Sequence, residues 1–312
     1  VARAPYSCFG PGRECAKIKP DLSAFGGCPQ TPVHLVSVQH GQRTLATGTS
    51  FASPYVARSG ALACDMVDRG TPLLSRALLI HTASHPTNKS DHLLGHGAVP
   101  ENWEDIISCS GNSVTVVYQN QIRPTQYVKL PITLPPSLVQ SGKVMFTWTI
   151  AALPSVAVHH PADYTNLCIE DVFYPDSNMY FLSQKHSPRK KLHIVTDASE
   201  IQSLLNVGWT KSQFPVTESG NVYESQKRAI DCKWEPIVRR TRCKYAAGLF
   251  QPFLILHCIP RHKITTAMDF VAVVTVTVPS SAGDIYSAVR TSYPALQPVR
   301  VRSTTEIRVP AA

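Results

Sequence analysis

The chain has 312 residues, of which 43% are hydrophobic and 16% are charged. This composition is typical of a globular protein and excludes a largely disordered one. Lysine and arginine number 30 against 21 aspartates and glutamates, which gives a formal net charge of +9. The length is enough for one large domain or two ordinary ones.

The sequence contains two short clusters of basic residues. One is the run at residues 189–191, and the other comprises Arg239, Arg240, Arg242 and Lys244. Neither cluster lies in a basic helix or among the aromatic residues that RNA-binding modules use. We interpret both clusters as solvated faces and expect no nucleic-acid partner.

The nine cysteines are scattered along the chain, and none forms a C-x-x-C pair. The spacing indicates neither a zinc ribbon nor a redox motif, so we predict no metal or cofactor site from it. Free buried thiols in a reducing compartment are the simplest interpretation, which predicts a cytoplasmic location. A secreted protein, with a signal peptide in sequence that precedes residue 1, is the alternative.

Membrane insertion is not expected. The cleanest apolar run covers residues 270–278, whereas a helix needs about 20 apolar residues to span a bilayer. The chain begins Val1-Ala2-Arg3-Ala4, without a methionine or a charged leader. We therefore expect it to be part of a longer protein.

The first hundred residues predict loops followed by two helices. Residues 1–30 are rich in glycine, proline and cysteine, which indicates loops around short strands. Residues 49–69 carry apolar side chains at helical spacing with small residues between them, which predicts a helix buried on most sides. Gly70 is the predicted end of this helix, and Pro72 begins a second one.

After about residue 110 the pattern changes to β-branched segments separated by turns. One helix interrupts them, with Asp197 as its N-cap, Glu200 three residues later and Gly208 at its end. Many strands and few helices predict a β-sandwich or jelly roll over residues 109–312. The predicted strands cover residues 114–118, 127–132, 143–150, 167–173, 253–259, 270–278 and 299–309.

Residues 48–57 read Gly-Thr-Ser-Phe-Ala-Ser-Pro-Tyr-Val-Ala and place Ser50 at the start of the predicted helix. A reactive serine needs an exposed oxygen where negative charge is stabilised, and a helix N-terminus supplies unpaired N–H groups and its dipole. The N–H of Ser50 would then help to hold the oxyanion of a tetrahedral intermediate. Pro54 lies in the first turns, where we expect its missing N–H to cost little.

The whole string resembles the nucleophile motif of subtilisin-like serine proteases, Gly-Thr-Ser-x-Ala-x-Pro-x-Val-Ala, with Tyr55 where that family usually has histidine. Residues 18–26 are similar to its Lys-Pro-Asp segment, with Phe25 in place of a proline. Residues 4–11 resemble its Ser-Ser-x-Gly-Pro turn, and residues 95–99 resemble the Gly-Tyr-Gly segment that closes its catalytic domain. Four motifs in the family's order are far more specific than any one alone.

The resemblance implies a serine endopeptidase that hydrolyses peptide bonds of a polypeptide substrate through an acyl-enzyme on Ser50. It implies an α/β fold for residues 1–108, as the C-terminal part of a parallel-sheet catalytic domain, before the β-sandwich domain at 109–312. Calcium binding is a property of the family by analogy, but no calcium site is identifiable in this sequence.

The family orders its catalytic residues Asp, His, Ser, so the acid and the base should precede Ser50. The preceding residues include no His-Gly-Thr sequence and no asparagine. Their only acids and histidines are Glu14, Asp21, His34 and His40, and Asp21 belongs to the Lys-Pro-Asp segment, which is structural in the family. We expect the missing N-terminal half of the catalytic domain to supply the Asp, His and Asn, and the present residues to be inactive alone.

Three other interpretations are open at this point. A non-catalytic binding or regulatory protein that keeps the protease shell is the main alternative. An α/β-hydrolase needs Gly-x-Ser-x-Gly, whereas Ala52 stands at the last position here. A zinc peptidase needs His-Glu-x-x-His, whereas Thr82 follows the first histidine. We expect loop or surface positions for the histidines concerned, His81, His85, His92 and His96.

Overall fold

The computed structural model describes residues 2–12, 18–38, 41–135, 142–159, 164–213, 234–261, 263–279 and 284–298. The chain forms two compact units. The first comprises Val1–Ser108 with Ala295–Ala312, and the second comprises Cys109–Pro294. None of the helices in the described ranges is long and apolar enough to span a bilayer.

The first unit contains a short hairpin followed by helices. Its strands β1 (Val33–Val36) and β2 (Arg43–Ala46) pair antiparallel. The helix α1 (Thr49–Asp65) begins shortly after β2, and α2 (Pro72–Thr82) follows a turn. A single-turn helix, α3 (Glu104–Ile107), completes the unit.

Small residues allow α1 and α2 to pack closely. Ser59, Gly60 and Ala63 are the buried residues of α1. A Cβ atom on Gly60 would lie 2.6 Å from the Ser75 hydroxyl of α2, and that hydroxyl donates to the Gly60 carbonyl at 2.9 Å. At the start of α2, the Thr71 side chain accepts a hydrogen bond from the backbone of the first turn.

Two features of α1 differ from the prediction. The helix ends at Asp65 because the chain turns before Gly70, with Arg69 in the left-handed region at φ 60°. Glycine is required at position 70 because the backbone there passes close to Cys64, and not because it ends the helix. A Cβ atom at position 70 would lie 2.1 Å from the Cys64 carbonyl oxygen. The helix is also less buried than expected, because Ala57 is exposed and Phe51 is only half-buried.

Within the described part of residues 2–108 there is no parallel sheet. The parallel pairing found there is an isolated bridge between Ser23 and Ala98. Residues 2–12 and 18–30 form loops, without the short strands that we expected around them. The α/β character of this unit therefore comes from one antiparallel hairpin and its helices.

The second unit is built from antiparallel sheets. Its strands are β3 (Ser113–Ile122), β4 (Tyr127–Pro131), β5 (Lys143–Leu153), β6 (Leu167–Tyr174), β7 (Met179–Ser183), β8 (Lys190–His193), β9 (Thr210–Ser212), β10 (Ile237–Tyr245), β11 (Phe253–Pro260) and β12 (Met268–Thr277). They form a four-stranded sheet in the order β10-β5-β12-β3 and two three-stranded sheets, β4-β11-β6 and β8-β7-β9. In the described part of this unit, two α-helices accompany the strands, α4 (Ala198–Asn206) and α5 (Ile285–Ser292).

Aromatic rings join the four-stranded sheet to β6. The ring centroid of Phe173 on β6 lies 4.9 Å from that of Phe146 and 5.6 Å from that of Trp148, both on β5. Phe146 and Trp148 point to the same face of β5 because alternate residues of a strand share a face. Met145, on the opposite face, is 39% exposed. The two sheets thus enclose an apolar layer, as a β-rich fold requires.

Every predicted strand within the described residues is present, as β3 to β6, β11 and β12, while the strand predicted at residues 299–309 lies outside them. The strands β7 to β10 were not predicted. The helix α4 has the predicted position, but Asp197 makes no side-chain cap to it. The Asp197 carboxylate instead accepts a hydrogen bond from the His193 backbone N–H at 2.8 Å.

Replacement of Phe146 by alanine is expected to lower the free energy of unfolding of the full chain by about 3–5 kcal/mol, because the fully buried ring would leave a cavity. Urea unfolding followed by circular dichroism measures this change. The control is Met145→Ala on the exposed face of the same strand, which should cost less than about 1 kcal/mol. Equal losses for the two variants would contradict the assignment of the core face.

Candidate active site

Ser50 is the second residue of α1, and it is exposed. The preceding Gly48 donates its N–H to the Gly26 carbonyl at 2.8 Å. A Cβ atom on Gly26 would lie 2.7 Å from the Gly48 carbonyl oxygen. The backbone segments at Gly26 and Gly48 are therefore too close together for any residue other than glycine at position 26. This contact determines where α1 begins. Gly26 was not among the predicted site residues, although its place beside a second glycine, Gly27, is a signal of close backbone approach.

No side chain of the first turn of α1 neutralises the positive end of the helix. Its first turn has no side-chain cap and no acidic residue. The Phe51 N–H donates to the Gly48 carbonyl at 3.1 Å, whereas the N–H groups of Thr49 and Ser50 have no partner among the described residues. Unpaired N–H groups and the positive end of the helix dipole are what a developing oxyanion requires.

Pro54 lies inside α1 as its sixth residue, beyond the first turn whose N–H groups are unpaired in any helix. Its missing N–H removes the intrahelical hydrogen bond that the Ser50 carbonyl would otherwise accept from position 54. Pro54 therefore leaves the Ser50 carbonyl without its usual partner four residues later, whereas the Ser50 N–H has no helical partner because it lies in the first turn.

The described residues bring no acid or base to Ser50. Among them, no hydrogen bond or ion pair involves the Ser50 hydroxyl. The His34 Nε2 atom lies 2.8 Å from the Arg43 guanidinium across the β1–β2 hairpin. Glu14 and His40, the other titratable candidates besides Asp21, lie outside the described residues.

Asp21 connects its loop to α2. Its carboxylate lies 2.5 Å from Lys19 Nζ and 3.1 Å from the Arg76 guanidinium, and its carbonyl accepts the His96 N–H at 2.9 Å. Burial raises the pKa of the Asp21 carboxyl, but the hydrogen bonds and charges of Lys19 and Arg76 outweigh it and hold this pKa below its ordinary value. Asp21 is fully engaged in these contacts, in agreement with a structural role.

The segment at residues 95–99 lies against the same loop. Ser23 donates its N–H to the Gly97 carbonyl at 2.9 Å and accepts the Val99 N–H at 3.0 Å. Gly95 has a φ of 65°, and a Cβ atom on it would lie 2.0 Å from the Pro20 carbonyl oxygen. Two of the segments that carry the family resemblance are thus interlocked through backbone contacts. Farther along α1, the Tyr55 hydroxyl donates to the Glu101 carbonyl at 2.8 Å.

The histidines considered as metal ligands are mostly buried. His81, His85 and His96 are 7%, 6% and 4% exposed. The expectation of loop or surface positions is wrong for His81, which lies in α2, whereas His85 and His96 lie in loops as expected but are buried there. The Nδ1 atom of His85 accepts the Thr87 N–H at 3.2 Å, which places the ring proton on Nε2, 3.3 Å from an Asp91 carboxylate oxygen. Over the described ranges, no group of three or more His, Cys, Asp and Glu side chains has an arrangement that would hold a metal ion.

Substitution Asp21→Asn tests the ion-pair cluster through its pH dependence. Because the folded-state pKa of Asp21 is lowered, its stabilisation should be complete at neutral pH and should disappear as the pH falls through that pKa, below 3.8. The difference in Tm between the wild type and Asp21→Asn should therefore shrink steadily in acid. Asp68→Asn, at an exposed position, is the control and should show no such trend. A difference that stays constant as the pH is lowered from neutral into acid would contradict this role.

A comparison with known families now bears on this geometry. The model of the subtilase family matches residues 2–97, a range that contains Ser50, the Asp21 loop and the Gly95–Gly97 turn. No curated protein matches the chain. Residues 2–97 are thus similar to the subtilase family, and this match supports a subtilisin-like assignment for that part of the chain.

Proposed function

We propose that Ser50 is the nucleophile of a subtilisin-like serine endopeptidase, which cleaves a polypeptide substrate through an acyl-enzyme. The observation that carries the proposal is the position of Ser50, exposed at the uncapped N-terminus of α1 within a subtilase segment. In such a site the serine oxygen attacks the peptide carbonyl, and the new oxyanion is stabilised by backbone N–H groups at the helix start. The Ser50 N–H is the donor that this chain supplies.

The proton of the Ser50 hydroxyl must pass to a base when the oxygen attacks, and an isolated serine is not an activated nucleophile. We therefore propose that the Asp, the His and the second oxyanion donor come from the N-terminal half of the catalytic domain, outside these 312 residues. Exposed apolar side chains near β1 and β2 support this idea. Phe25, Val36 and Leu45 are 60%, 78% and 56% exposed, a surface that further polypeptide would cover.

In this proposal, residues 1–108 are the C-terminal part of the peptidase domain, and residues 109–312 are a separate β-sandwich domain that acts as a scaffold. The scaffold role rests on analogy with other subtilases that have an added β domain. We also propose a cytoplasmic setting, since the seven described cysteines are not joined in disulfides.

In the longer protein, Ser50→Ala should reduce the turnover of a peptide substrate by about 10⁶-fold, the scale found when the serine or histidine of subtilisin itself is removed. Release of a chromogenic leaving group measures this rate. Ser53→Ala removes an exposed hydroxyl one turn along α1 and serves as the control, with turnover close to the wild type. Loss of activity in both variants, or in neither, would refute the assignment of the nucleophile.

Residues 1–312 alone should show no peptidase activity, because the described residues bring no acid or base to Ser50. The second unit has its own sheets and should unfold cooperatively, whereas residues 1–100 should be cut readily by trypsin. Casein hydrolysis, urea unfolding followed by circular dichroism, and limited proteolysis of the purified chain measure these three properties. Robust casein cleavage that depends on Ser50 would show that the chain contains its own catalytic base.

A further inference from the structure

The two basic clusters of the sequence converge on one pocket in the second unit. The pocket has a volume of about 340 Å³ and lies where the three sheets meet. β10 contributes Arg240, Arg242 and Lys244, β8 contributes Lys191, and β6 contributes Asp171. Lys191, Arg242 and Lys244 are exposed, as the interpretation of solvated faces predicts, but the sequence did not show that they line one cavity together with the half-buried Arg240.

The cations occupy positions where a sandwich strand usually carries apolar residues. Arg240, Arg242 and Lys244 alternate along β10 and so share one face, separated by about 6.6 Å at each step. This face is directed towards β6, because Arg240 contacts the Asp171 carboxylate there. Among the described strands, β10 and β6 each lie at the edge of their sheet. The cavity between them is therefore open along that edge.

One carboxylate does not balance four cations. The Asp171 side chain is only 2% exposed, and it accepts hydrogen bonds from Trp148 Nε1 at 2.7 Å and from Arg240 Nε at 3.0 and 3.1 Å. No ion pair joins Lys191, Arg242 or Lys244 to an acid among the described residues. Three positive charges thus face the pocket without an acidic partner there.

Asp171 also orients Arg240. Because Asp171 binds the Nε side of the guanidinium, the two Nη groups have no partner within the described part of the chain. A guanidinium held in this way presents a planar pair of donors that matches two oxygens of a phosphate group. Since its orientation is already fixed, little side-chain entropy would be lost on binding an anion.

We propose that this pocket binds a small molecule that carries two or three phosphate groups. Three unbalanced cations match the charge of such a ligand, and the spacing along β10 allows successive phosphates to contact successive side chains. The volume is at the lower end of the range for small-ligand sites, which favours a compact anion over a macromolecule. The site is independent of Ser50 and of the proposed peptidase activity.

Isothermal titration of the full chain with sodium tripolyphosphate, in about 0.15 M NaCl, tests the proposal. Saturable binding at one site is expected, and Arg242→Gln with Lys244→Gln should weaken it by about tenfold or more, because two charge-assisted contacts are lost. Both residues are exposed, so the double variant should keep its fold. Lys89→Gln with Lys185→Gln removes the same charge from exposed positions outside the pocket and should leave the affinity unchanged.

Three results would overturn the proposal. Absence of saturable binding would mean that the cations only protect a sheet edge against pairing, as inward-pointing charges do in other β proteins. Equal weakening in the pocket and control variants would mean that net charge alone attracts the anion. Tighter, pocket-dependent binding of a 15-nucleotide oligothymidylate or of an aspartate-rich peptide would identify a macromolecular ligand instead.

Discussion

The backbone hydrogen bond from Gly48 to Gly26 determines the position of the candidate nucleophile. It requires glycine at position 26, since a Cβ atom there would collide with the Gly48 carbonyl. The loop that carries Gly26 is itself held by the Asp21 ion pairs with Lys19 and Arg76. Ser50 is thus placed by a series of contacts that begins far from it in sequence, and the same contacts leave its hydroxyl exposed.

The structure explains why segments far apart in the chain carry the family resemblance together. The turn at Gly95–Gly97 contacts Pro20, Asp21 and Ser23 through backbone atoms. A Cβ atom on Gly95 would collide with the Pro20 carbonyl, and one on Gly97 would collide with the Ser84 carbonyl. Asp21 adds charge to the same junction through α2. Each segment alone is a common turn, whereas together they form one support for the start of α1.

Local sequence patterns predicted the strands that have a regular apolar alternation and the two long helices. The nucleophile position followed from one continuous motif, since a helix start is a local property. The end of α1 was not predictable in this way, because Gly70 is required by contact with Cys64 and not by a helix cap. The burial of His81, His85 and His96 was also missed, since exposure depends on tertiary packing.

The basic pocket is a clearer example of a feature that local sequence patterns could not predict. Lys191 and Arg242 lie about fifty residues apart, and only the pairing of β10 with β5 and the packing of β6 bring their strands together. Charge patterns in a sequence are interpreted one segment at a time. The sequence therefore does not distinguish two separate solvated clusters from two clusters that line one cavity. The buried Asp171 carboxylate, hydrogen-bonded to Trp148 and Arg240, is what distinguishes the pocket from an ordinary charged surface.

The most direct test of the central claim is the identity of the residue that a fluorophosphonate modifies in the longer protein. Such reagents react with serines that an adjacent base activates, and mass spectrometry of tryptic peptides locates the adduct. The account predicts a single adduct on Ser50, in the peptide that spans the start of α1. An adduct on another residue, or an active protease whose Ser50 stays unmodified, would contradict it.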